Sequence, residues 1–159
     1  MRKNIFKSLL LTILLSSTLS VYAYDSVSQK NNAILFVSLG MPKLALRQYL
    51  LQSKQLGIPL VIRGLLNNSY PDTAKRIYQI LHPKNTGKKS ISGGFEIDPV
   101  YFKKFHISVV PALVINSGIH SSVIYGNIPI QKLLQLTASQ SKYPDVKNES
   151  VWYLGKYHA

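Results

Sequence analysis

Serine, histidine and carboxylate side chains are the groups in this 159-residue chain that could do covalent or acid–base chemistry, because cysteine is absent. That absence excludes a thiolate nucleophile, a thiolate metal site and thiol–disulfide exchange. Ser38, Ser69 and Ser108 lie outside any G-x-S-x-G turn, and no ordered acid and base accompany them as a hydrolase requires. An unassisted hydroxyl is a weak nucleophile. His82, His106, His120 and His158 are scattered, with no histidine or carboxylate at metal-ligand spacing on one face. Only six acidic residues are present, and Glu96 with Asp98 reads better as a helix-start pair than as paired-carboxylate chemistry. The expectation is no catalytic residue, no metal and no cofactor.

The remaining reactive types point to binding. Arg63 ends an apolar run, where a guanidinium must find a partner: an ion pair or a backbone carbonyl that staples the strand end, or an acidic partner segment. Lys84, Lys88 and Lys89 form one basic cluster among Asn, Thr, Ser and Gly, read as a solvated loop or as a contact for anionic headgroups or an acidic protein. Trp152 and Tyr153 stand in a short apolar island near the end, as a strap on the domain or a docking segment. A nucleic-acid contact is not expected, since no aromatic platform interleaves with the basic residues.

The first residues set the compartment. Arg2, Lys3 and Lys7 form a positive stretch, Ser8 to Leu19 is apolar and short for a membrane span, and Val21-Tyr22-Ala23 suits a cleavage site. Residues 1–23 therefore read as a secretory leader and 24–32 as a polar segment. Cleavage removes three basic and no acidic residues, taking the formal charge from +13 to +10. The 136 residues left suffice for one domain with a core. So strong a positive charge favours an acidic partner or an anionic surface.

The elements follow from apolar periodicity and its breakers. Ala33 to Val37 is a continuous apolar run, as for a strand covered on both faces. From Pro42 to Leu56, Leu44, Leu46, Leu50 and Leu51 recur at helical spacing, with Lys43, Arg47 and Lys54 on other faces and Gly57 at the C-cap. Ile58 to Arg63 reads as a strand, and a helix begins near Pro71 and stops before Pro83. Asp98-Pro99 starts a short helix to about Phe105. Ile107 to Asn116 is expected as a strand interrupted by Pro111, paired through a turn with Ser122–Tyr125. A last helix carries Ile130, Leu133, Leu134 and Leu136, and residues 140–159 form a tail outside the 33–139 domain.

This order, with an aromatic-rich helix, Phe105-His106-Ile107, and Val110-Pro111 before a strand, resembles the thioredoxin-like arrangement: α/β, a mixed sheet with helices on both faces. The resemblance implies that Val110–Pro111 is cis and that Ser38 to Pro42 occupies the place of the redox cysteines. It also implies a peptide groove between that turn, with Ser38 and Met41, and Pro111. More closely, Leu35-Phe36-Val37-Ser38 with Met41-Pro42, Leu60 to Leu65, Ile97-Asp98-Pro99 and Val109 to Ala112 resemble the TrbC family of F-type conjugative transfer proteins. The match runs from about Ile34 to Leu136. It implies a periplasmic factor for pilus assembly, beside a secreted component such as TraW or the pilin itself, with no catalytic residues. A thiol-free periplasmic chaperone of the disulfide-isomerase lineage is the alternative.

Overall fold

In the computed structural model, residues 32–83 and 89–157 are described. The expected leader and polar segment before Asn32, and Lys84 and Lys88, lie outside the described residues. Strand β1 is Ala33–Phe36, helix α1 Lys43–Leu56, β2 Leu60–Ile62, and α2 Tyr70–Leu81, reached through a 3-10 turn at Leu66–Asn68. Then follow β3 Glu96–Ile97, α3 Pro99–Lys104, β4 Ala112–Asn116, β5 Ser121–Tyr125, α4 Ile130–Gln140 and α5 Pro144–Tyr157.

The strands form one mixed sheet in the order β3-β2-β1-β4-β5. β1 pairs parallel with β2 and antiparallel with β4, setting Leu35 opposite Leu60 and Leu113. All four β1 residues are buried, which explains a run without polar alternation. Its side chains still alternate between faces. Ala33 and Leu35 join the larger core with Leu46, Leu50, Ile80, Leu133 and Tyr153, contributed by α1, α2, α4 and α5. Ile34 and Phe36 face the other way, to Val61, Val114 and Phe102, and α3 is the helix supplying that smaller core. Helices thus lie on both faces, four against one.

Local chemistry explains the boundaries. Gly57 ends α1 in the left-handed region at φ 68°, where a Cβ is costly. Ser69 caps α2 by accepting from Asp72 N–H, and Asp98 caps α3 by accepting from Val100 and Tyr101. The end of α3 is a Schellman motif: His106 N–H donates to Lys103 carbonyl and Ile107 N–H to Phe102 carbonyl, with His106 at φ 53°.

Three expectations change. The strand expected from Ile107 begins at Ala112, because Pro111 lacks a ladder donor and residues 107–110 leave the sheet. Leu44 and Leu51, assigned to the apolar face of α1, are more than half exposed, whereas Arg47, assigned to another face, is 8% exposed. The guanidinium donates to the carbonyls of Ile80, Leu81 (3.2 Å) and Lys89 (2.8 Å), so it satisfies the electronegative end of α2. The residues read as a polar tail form α5, which buries Val146, Ser150 and Tyr153.

Candidate functional site

The site is assembled where three adjacent strands end. β1 runs into Ser38, β2 into Arg63, and Val110 precedes β4. Together with Val37, Ile62 and Phe102 they line a cavity of about 420 Å³. The Val110–Pro111 bond is cis, as the resemblance implied.

Ser38 sits exposed in the turn between β1 and α1. Its Oγ accepts from Gly40 N–H at 3.2 Å and its carbonyl accepts from Met41 N–H, so it both forms the turn and faces the groove. Arg76 of α2 braces this turn from behind, donating to the carbonyls of Leu39 (3.0 Å) and Met41 (2.8 Å). Met41 itself packs against the larger core and does not line the groove.

Arg63 is exposed and lines the groove. Its Nη2 donates to the Ile107 carbonyl at 2.6 Å, and its guanidinium lies 4.9 Å from the centre of the Phe102 ring. The backbone-carbonyl contact expected for a strand-end arginine is therefore present. Ser108, Val109 and Val110 follow as the opposite lip. None has its N–H or carbonyl in a hydrogen bond with another described residue, and Val109 is 62% exposed. Exposed main-chain groups with no partner in the protein, beside a trough, are what an added strand needs.

The other expected contact residues lie apart from this groove. Lys89 is exposed and lends its carbonyl to Arg47, on a cleft beside Leu44 and Leu51. Trp152 is 53% exposed on α5, with Lys156 Nζ 3.8 Å above its indole, while its neighbour Tyr153 is buried. The island is therefore both strap and exposed aromatic.

Sequence reasoning missed a polar cluster at the hairpin. Asp145 Oδ2 accepts from the Ser117 hydroxyl and faces His120 Nδ1 at 3.1 Å, and His120 stacks on Tyr143 at 4.0 Å. The Ser117 hydroxyl holds the Asp145 carboxyl below its ordinary pKa, partly offset by desolvation, with the His120 contact adding to the depression. The serine meets the aspartate rather than the imidazole, so these types do not form a nucleophile–base–acid relay. Ser117 and His120 lie 28 and 25 residues from Asp145, so the cluster left no local signal.

These features define a cysteine-free α/β protein with an open groove at the ends of its central strands. The family model described as type-F conjugative transfer system pilin assembly protein matches residues 35–137, and the chain belongs to that TrbC family. The periplasmic protein TrbC of Escherichia coli (strain K12) is 30% identical over 110 residues, covering 69% of this chain and 49% of that protein. The chain therefore spans about half the length of the curated relative it matches. That relative is periplasmic, the compartment expected for this chain, and no helix among the described residues is long and apolar enough to cross a membrane. No solved structure matches.

Proposed function

We propose that this protein is a periplasmic assembly factor of an F-type conjugative pilus and its type IV secretion system, acting by protein–protein binding without chemistry. The platform is a thioredoxin-like one in which the turn at Ser38 replaces the redox cysteines. The partner is a secreted conjugation component of the TraW kind or the pilin, held as an extended segment in the groove between Ser38, Arg63 and Val110. The observation carrying this reading is the unpaired main chain of Ser108 to Val110 beside the trough.

The test is deletion of the gene in a mating-competent donor, complemented with the chain bearing its leader or lacking residues 1–23. Surface pili and plasmid transfer are both lost on deletion and return only with the exported form. Normal pili and transfer without the gene contradict the assembly role and favour a general periplasmic chaperone, which instead shows weak binding to many exported clients.

A further inference from the structure

Arg63 does more in this groove than staple a strand end. Of the five N–H donors of a guanidinium, one is engaged, by the Ile107 carbonyl. The guanidinium also lies over the Phe102 ring, and Arg63 is exposed, so its other donors are open to a ligand. Among the described residues the one ion pair is His120 with Asp145, so Arg63 has no carboxylate of its own. The rest of the trough holds no charged side chain: Val37, Ile62, Leu66 and Phe102 line it together with the neutral polar Ser38, Asn67 and Ser108. A lone arginine in such surroundings favours a carboxylate, which it can bind through two parallel hydrogen bonds.

The backbone places that carboxylate. Ile107, whose carbonyl Arg63 holds, immediately precedes the unpaired lip at Ser108 to Val110. A strand laid against the lip brings one of its side chains beside the guanidinium, since neighbouring strands sit about 5 Å apart. Building on the groove-binding function above, we propose that this groove selects an extended protein segment carrying an aspartate or glutamate whose side-chain carboxylate pairs with Arg63, while the segment's main chain pairs with residues 108–110. The formal charge of +10 expected for the exported chain draws an acidic segment toward it.

The probe is an array of decapeptides with degenerate positions, screened with the exported protein purified from periplasm. The tightest binder is then measured by fluorescence anisotropy. Selected peptides should carry an acidic residue at a shared position. Changing it to Asn or Gln should weaken binding about tenfold or more, the loss of a charge-assisted pair. In Arg63→Met the acidic peptide's advantage over its neutral counterpart should fall to less than about twofold, whatever the variant does to both. The peptide arm alters no protein residue, so a folding defect in the variant cannot imitate it.

Neutralisation with less than about a twofold effect overturns the proposal. So does loss of binding on amidating the peptide C-terminus instead, which would assign the arginine to a chain end. In both cases, backbone resonance shifts at Ser108 and Val110 on binding leave the groove reading standing. Shifts confined to Trp152 or Lys89, or an array without binders, overturn the groove reading and this proposal with it.

Discussion

Three arginines of one charge have three different tasks, and their partners separate them. Arg47 and Arg76 donate only to backbone carbonyls, one at the end of α2 and one behind the Ser38 turn, whereas Arg63 keeps donors to spare. Because Arg47 is buried, removing it takes a donor from the Ile80 and Lys89 carbonyls and one of two from the Leu81 carbonyl, which keeps Ile91 N–H. Arg47→Met should cost about 2–4 kcal/mol in urea denaturation, and Arg47→Lys should recover little, since an ammonium lacks the planar fork. A loss under about 0.5 kcal/mol would show that water replaces the guanidinium. At the hairpin, the depressed pKa of Asp145 means that folding favours its ionised form. The contribution is therefore present above the unfolded carboxylate pKa of about 4 and fades as pH falls through the lower folded value. Ser117→Ala should move the Asp145 titration, followed by NMR, upward toward the ordinary carboxylate range; an unmoved titration would assign the depression to His120 instead. Of these groups, only Arg63 was legible in the sequence as a special residue. Helical spacing alone placed Arg47 outward, because periodicity records angle and not what a neighbouring helix end demands.

Elements were readable where a local rule suffices. Asp98-Pro99 announced the start of α3, Gly57 the end of α1, and a proline opening an apolar run announced an interruption before β4. The end of α3 was harder. His106 stands where glycine is usual, and it is held there by the two Schellman hydrogen bonds that carry the chain toward the groove lip. His106→Gly should relieve the left-handed backbone and stabilise the fold by up to about 1 kcal/mol, less the added entropy of the unfolded chain. Lower stability in the glycine variant, read from thermal or urea unfolding, would mean that the imidazole makes a contact worth more than the relief. Helix α5 was not legible because its first half is polar and few apolar residues mark its inner face. Val146, Ser150 and Tyr153 recur at spacings of four and three and are buried, with Val146 and Tyr153 joining the larger core.

For the whole molecule, the order of elements was legible and the site only in part. Ser38, Arg63 and Val110 were each singled out and do meet in one groove; Met41 turns into the core, and Lys89 and Trp152 lie elsewhere. The sequence cannot show which strand ends are neighbours, and it is the parallel β1–β2 pair beside antiparallel β4 that brings these three together. What the fold offers is an electropositive domain with a trough beside unpaired main chain, and the family is one of pilin assembly. The most direct measurement fills that trough in the living donor. Ser38→Trp, or Ser108→Trp from the opposite lip, is exported in place of the native chain, its unfolding midpoint is checked, and plasmid transfer and surface pili are counted. A folded variant that gives neither pili nor transfer is the expected result. Folded variants of both kinds that restore normal pili and normal transfer would contradict the claim that this groove holds the partner.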